Sequence, residues 1–338
     1  MRERVYESVL NNIEKTDLSR RLLSITAPTG AGKTLTALAC ALKLRERIEK
    51  EKGYSPRIIY VLPYINIIEQ NYKVFQEVLA LSICDFQENE GNYLIAHHHL
   101  AELSYKADEE EKSLIEAYHL IETWESEIIV TTAIQFFYSV LGYKNSFLRK
   151  FHNIVGSIIL LDEVQTLPME YWSLLGKALS SLTEYFNCYL ILLTATQPLI
   201  LPPEKKIELV ENAKENFMSL NRVKLRFVDK PIQKEELIEQ LKEIYTPRNS
   251  YLLVVNTIPT SIEMYLEVKE KINPQNIFYL STNIIPKQRK ERIEKIKELI
   301  SKNEKPFLVS TQVVEAGVDL DFDIAIRDIG PIDSLVQV

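Results

Sequence analysis

"SITAPTGAGKTLTALACALKL", Ser24 to Leu44, decides how this chain is read. A short apolar run enters a glycine-bearing loop. Lys33-Thr34 then opens a helical pattern with Leu35, Leu38 and Leu42 on one face. The octet Ala27 to Thr34 follows the phosphate-loop pattern of Gly, four residues, then Gly-Lys-Ser/Thr, except that alanine stands at its first position. Gly30 and Gly32 let backbone N–H groups turn toward an anion, and the helix N-terminus adds partial positive charge. On this reading Pro28, Thr29, Gly30, Ala31 and Gly32 wrap the phosphates. Lys33 reaches the β- and γ-phosphates and Thr34 ligates Mg²⁺. The expected cofactors are therefore ATP and Mg²⁺.

A phosphate loop needs an acidic partner, and "SIILLDEVQ" (Ser157–Gln165) supplies it. Four apolar residues end in Asp162-Glu163 at the C-terminal edge of a predicted strand, where ligands gather in open α/β sheets. Asp162 is expected to hold Mg²⁺ and Glu163 to polarise the hydrolytic water. Gln165 joins Lys33 and the two acids as a catalytic candidate.

The rest of the chain alternates in the same manner. Apolar, β-rich runs at Leu22–Thr26, Ile58–Pro63, Glu127–Thr132, Ser157–Glu163 and Cys188–Thr196 predict strands buried on both faces. Strands at Tyr251–Thr257, Ile277–Thr282, Pro306–Thr311 and Asp323–Asp328, with helices near Thr260–Lys271 and Pro286–Ser301, predict a second unit. The fold class is α/β, mostly parallel sheets flanked by helices. The expected domains are 1–203 and 204–338, with Glu204–Lys230 as a linker and an insertion at 84–125. The segment His97-His98-His99 lies in that insertion. Adjacent histidines do not converge on one ion from a regular element, so a surface or insertion role is read there.

The net charge of −7 excludes a bulk-basic nucleic-acid binder, so any such contact needs a local groove. Three scattered cysteines make neither a metal pattern nor a disulfide framework. No run reaches the length of a membrane span and no signal peptide is visible, so a cytoplasmic location is expected.

Beyond these residues, the chain resembles superfamily 2 helicases in ordered motifs along nearly its whole length. "APTGAGKT" resembles motif I, "YVLPYINIIEQ" motif Ia, "IVTTAIQF" motif Ib, "LLDEVQ" motif II and "LLTATQP" motif III. "LLVVNTIPTSIEMY" and "YLSTNIIPKQRKERI" resemble the motif IV region, and "LVSTQVVEAGVDLDFDIAIRD" motif V. Within the superfamily, "LPYINIIEQ", "LLDEVQTLP", "TATQP" and "EAGVDLDFD" are similar to the CRISPR-associated helicase of type I interference systems. That resemblance implies two tandem RecA-like domains and ATP-driven translocation along a displaced single DNA strand. It implies recruitment by an RNA-guided Cascade-type surveillance complex and a partner HD nuclease. Gly317 and Asp319 would complete the nucleotide site from the second domain. Phosphate contacts to the strand would come from Pro63, Tyr64, Thr131, Thr132, Gln135, Thr257, Ser281, Thr311 and Gln312. For each threonine, simple β propensity is the competing reading. Thr194 and Thr196 would couple the γ-phosphate state to the second domain. Arg289, Lys290 and Arg292 either line the DNA path or form a solvated helix face. RNA helicases, restriction-type translocases and an ATP-gated binding module remain alternatives.

Two departures stand out. No His-Asp dipeptide occurs, so the HD nuclease is expected on a separate chain. No Gln-x-x-Gly-Arg-x-x-Arg segment follows motif V before Val338, so the second domain is expected to be incomplete and lacking the arginine finger. That finger is worth roughly 10³ or more in rate, so poor hydrolysis by residues 1–338 is expected.

Overall fold

A computed structural model describes residues 1–28, 30–63, 65–98, 120–195, 200–202, 206–218, 224–228, 230–314 and 320–330. The chain divides into two compact units, Met1–Arg222 and Val223–Val338.

In the first unit, α1 (Arg2–Lys15) precedes β1 (Leu22–Thr26), α2 (Lys33–Lys52), β2 (Ile58–Leu62) and α3 (Ile65–Ser82). Then come α4 (Glu90–Tyr93), β3 (Leu94–His97), β4 (Ile128–Thr132), α5 (Ala133–Leu141), α6 (Asn145–Ile154) and β5 (Ile158–Asp162). The unit closes with α7 (Trp172–Tyr185), β6 (Tyr189–Thr194), β7 (Ile207–Glu208) and α8 (Ala213–Met218). Its seven strands run parallel in the order β3-β4-β2-β5-β6-β1-β7.

Strand alternation sends Ile58, Tyr60 and Leu62 into one core layer with Val5, Val9 and Phe75, and Ile59 and Val61 into the other with Trp124 and Phe136. Burial on both faces explains why these strands read as continuous apolar runs. Helix α2 stops at Gly53, whose φ of 75° lets its N–H close on the Glu49 carbonyl. The chain leaves β1 and crosses β6 and β5 to reach β2. The loop after β1 and the acidic end of β5 therefore lie at the same carboxyl edge of the sheet.

The second unit holds α9 (Lys234–Ile244), β8 (Tyr251–Val254), α10 (Ile258–Lys271), β9 (Ile277–Leu280), α11 (Pro286–Ser301), β10 (Phe307–Ser310) and β11 (Ile324–Arg327). Its parallel strands run β11-β8-β10-β9, with Tyr251 and Leu253 facing one core and Leu252 and Val254 the other.

Two boundaries differ from the sequence reading. The division falls after Arg222, not after 203, because β7 adds to the edge of β1 and buries Leu209 and Val210. Segment 84–125 is not wholly an insertion. Leu94–His97 forms the edge strand β3 against β4, with Leu94 and Ile95 buried. No described helix is long and apolar enough to cross a membrane.

Candidate functional site

The phosphate loop leaves β1 through Ala27, which is fully buried and donates its N–H to the Thr194 carbonyl at 3.1 Å. Ala27 is absent from the residues with positive φ, so its backbone does not require the glycine of the usual pattern. Gly30 and Gly32 do lie in the left-handed region, at φ 75° and 80°. Gly32 caps α2, and Lys33 begins the helix. From α1, Arg2 donates through Nε to the Gly30 carbonyl at 2.9 Å. Beside them a cavity of about 530 Å³ is lined by Met1, Arg2, Glu3 and Gly30. Thr29 lies outside the described residues.

Sequence reasoning missed what anchors this strand. The Glu208 carboxylate accepts from Ser24 Oγ at 2.8 Å, Thr26 Oγ1 at 2.6 Å, Thr26 N–H at 2.9 Å and Val210 N–H at 3.1 Å. A charged acceptor with four donors fixes the end of β1 one residue before the loop. Glu208 stands in a charged stretch where its own sequence neighbourhood carries no motif.

Facing the loop, Lys33 Nζ lies 3.3 Å from Glu163 Oε1, with 10% and 21% of their side chains exposed. Glu163 Oε2 accepts from Gln165 Nε2, and Gln165 Oε1 accepts from Thr194 Oγ1 at 3.2 Å. One bonded chain thus joins motifs I, II and III. Glu163 adopts φ 48°, ψ 43°, an unusual conformation for a non-glycine residue. Its N–H donates to Leu193 O at 3.1 Å, and its carbonyl accepts from Thr166 Oγ1 at 2.8 Å. The turn carries the carboxylate back over the loop.

Asp162 ends β5. Burial, reinforced by the neighbouring Glu163 charge, pushes its carboxyl up to about 6 against the opposing pull of Lys33. Tyr60 Oη donates to its Oδ2 at 2.8 Å, whereas its Oδ1 is buried without any hydrogen-bond partner. A bare carboxylate oxygen at a strand end that meets the phosphate loop through Lys33 and Glu163 fits Mg²⁺, which takes hard oxygen ligands and phosphate oxygens.

The nucleic-acid candidates divide. Thr132 caps α5 by accepting from Gln135 N–H at 3.1 Å, and Thr257 caps α10 by accepting from Thr260 N–H at 3.2 Å. Pro63, Thr132 and Gln135 are half-buried, whereas Thr257 and Gln312 are exposed. Thr131 and Ser281 are fully buried. The Thr131 hydroxyl donates to the His97 carbonyl at 2.9 Å, and Ser281 Oγ accepts from Asn283 N–H at 3.3 Å. Both hydroxyls are thus buried and already hydrogen-bonded. Thr311 is 7% exposed, with its N–H on the Leu280 carbonyl. Arg289 is half-buried and Lys290 exposed, while Arg292 is tied to the Tyr279 carbonyl at 2.8 Å. Tyr64, Thr196, Gly317 and Asp319 lie outside the described residues.

His97 is fully buried. Its Nδ1 accepts from Trp124 Nε1 at 2.9 Å and its Nε2 lies 3.1 Å from the Gln135 side-chain nitrogen. With Nδ1 accepting, Nε2 carries the proton, so the Gln135 amide presents its oxygen to it on rotation. Burial, then the charges of Lys150 and His98, holds the imidazole down to about 3, hence neutral. The described residues contain no cluster of three or more His, Cys, Asp or Glu side chains able to hold a metal ion. His99 lies outside them.

Comparison with known proteins places this geometry. A family model described as type III restriction enzyme, res subunit, matches residues 1–199, and one for the C-terminal part of the CRISPR-associated nuclease/helicase Cas3 matches residues 247–338. The chain is 30% identical over 202 residues to the Cas3 nuclease/helicase of Haloferax volcanii, covering 58% of this chain and 21% of that protein. It is 25% identical over 337 residues to that of Methanothermobacter thermautotrophicus, covering 93% of this chain and 37% of that protein. The chain thus spans about a fifth to two fifths of these relatives. The crystal structure of T. fusca Cas3 with AMPPNP shares its fold at a TM-score of 0.72 and 20% identity, over 98% of this chain and 42% of that one.

Proposed function

The chain belongs to the Cas3-type CRISPR-associated helicases of superfamily 2, and on that premise we propose that it is an ATP-driven motor on single-stranded DNA. The observation that carries this is the bonded chain Lys33–Glu163–Gln165–Thr194. It links the residue that would hold the γ-phosphate to the residue that would polarise water, and both to motif III.

ATP binding draws Lys33 onto the β- and γ-phosphates and breaks its pair with Glu163. The freed carboxylate then orients the attacking water, still held by Gln165. Thr34 and Asp162 would hold Mg²⁺, which would neutralise charge on the phosphate oxygens. Gln165 and Thr194 report the state of the γ-phosphate.

The DNA strand is held through phosphates by the neutral groups of Pro63, Tyr64, Thr132, Gln135, Thr257, Thr311 and Gln312. A Cascade-type complex loads the motor in the cytoplasm, and a partner HD nuclease degrades the strand it feeds. The match of residues 1–199 to a restriction-enzyme model favours, as a second reading, a translocase on duplex DNA.

ATP turnover measured with single-stranded DNA, single-stranded RNA and duplex DNA, with Lys33→Ala as the blank, tests the proposal. Stimulation by single-stranded DNA above the other two is expected. Preference for duplex supports the second reading, and preference for RNA overturns both.

A further inference from the structure

We infer that Tyr60 is a positioning residue for the Mg²⁺-bound nucleotide, setting how the Asp162 carboxylate presents its oxygens. The inference rests on the nucleotide reading above. Tyr60 opens the stretch that resembles motif Ia, but no role is read for it there, and in the sequence it is one more aromatic residue in an apolar strand.

Its place in the sheet explains why it can do this. On β2, Tyr60 pairs with Leu160 of β5, and alternation puts Tyr60, Leu160 and the later Asp162 on the same face. Helix α2 packs on that face. The ring is fully buried and is fixed edge-on against Phe75, with centroids 5.2 Å apart. A buried hydroxyl is tolerated only when it is hydrogen-bonded. Here the phenol has one proton and gives it to Asp162 Oδ2 at 2.8 Å.

The bond decides how Asp162 presents its oxygens. Tyr60 occupies Asp162 Oδ2, which leaves Oδ1 as the bare oxygen. One carboxylate oxygen is thus held ready for an ion before nucleotide arrives. Phenylalanine would fill the same space and pack on Phe75 but could not hold Oδ2.

The test compares wild-type protein with Tyr60→Phe, titrating ADP by calorimetry in excess Mg²⁺ and again in EDTA. In the wild type Mg²⁺ should tighten ADP binding. In Y60F affinity in EDTA should stay within about twofold, while the gain from Mg²⁺ falls about ten-fold, as expected for one hydrogen bond to a charged group. A general packing defect would weaken both titrations together. Equal Mg²⁺ gains in the two proteins, or parallel losses with and without Mg²⁺, overturn the inference. Wild-type protein that binds no nucleotide overturns the nucleotide reading itself.

Should Y60F fail to fold, ¹³C-labelled tyrosine placed at position 60 of the wild type reports the same point. Its ring signal should move on adding Mg²⁺ to the ADP complex and stay put when EDTA replaces it. An unmoved signal overturns the inference.

Discussion

The two sheets end differently at their carboxyl edges. In the first unit the strand-end side chains bond to one another. Lys33 meets Glu163, Glu163 meets Gln165, Tyr60 meets Asp162, and Glu208 gathers four donors under β1. In the second unit Asn256, Thr257 and Gln312 are exposed. Gln312 reaches Asn256 at only 3.4 Å, and Asn256 turns to Asp328 and the Ile329 carbonyl. The first edge is charged and pre-organised, as chemistry on a phosphate requires. The second offers exposed hydroxyls and amides, suited to contacts that form and release. On the proposed reading the first unit carries the chemistry and part of the grip and the second unit grip alone, and that comparison can be broken at either end.

The largest expected effect is on turnover. Glu163→Gln should lower DNA-stimulated ATP hydrolysis by about 10²–10⁴-fold, the usual worth of a general base, with nucleotide binding retained. Equal turnover in the variant moves the water-activating role elsewhere. Next, Lys33→Ala should weaken binding of a non-hydrolysable ATP analogue by about 100-fold, from lost charge-assisted bonds worth roughly 1.5–3 kcal/mol each. Calorimetry reads this directly, and a loss below threefold would place the phosphates away from this loop.

The site was legible in the sequence where local backbone chemistry makes it. Gly30, Gly32 and Lys33 sit in a pattern that only a phosphate loop needs, and Asp162-Glu163 ends an apolar run at a sheet edge. Strand β1 and helix α11 span the predicted ranges. What was hidden depends on which face a side chain takes. Thr131 and Thr132 are adjacent, so strand alternation buries one and leaves the other at the edge, and only the covering helix decides which. Tyr60 and Glu208 act through partners 102 and 182 residues away, a distance that no local pattern spans. Strand β3 was missed because its four residues run into histidines, and His97 proves to be core.

That buried histidine gives a third prediction, on stability. Its folded value near 3 lies below the ordinary 6.5, so the unfolded chain binds the extra proton between them. The stabilisation is full above about pH 6.5 and is lost as pH falls toward 3, by a few kcal/mol in all. Trp124, Gln135, Lys150 and His98 are the groups that face it. Replacing His97 with Gln should flatten this acid limb in urea titrations between pH 4 and pH 7. An unchanged limb would assign the acid sensitivity to other groups.

The smallest effect sharpens the comparison most. Thr132→Ala and Thr257→Ala each remove an N-cap and should each cost about 1 kcal/mol of stability. At matched stability, Thr257→Ala should weaken single-stranded DNA binding more, because its hydroxyl is exposed. Equal affinities would dissolve the proposed division between a reacting edge and a gripping edge.

The most direct test of the motor itself is the affinity of the Glu163→Gln protein for a single-stranded DNA oligonucleotide, read by fluorescence anisotropy with ATP·Mg²⁺ and with ADP·Mg²⁺. A motor requires the two nucleotide states to differ in their hold on the strand. The account predicts dissociation constants at least about ten-fold apart, a coupling of roughly 1.4 kcal/mol. Identical affinities in both states would contradict it, since the nucleotide would then do no work on the strand.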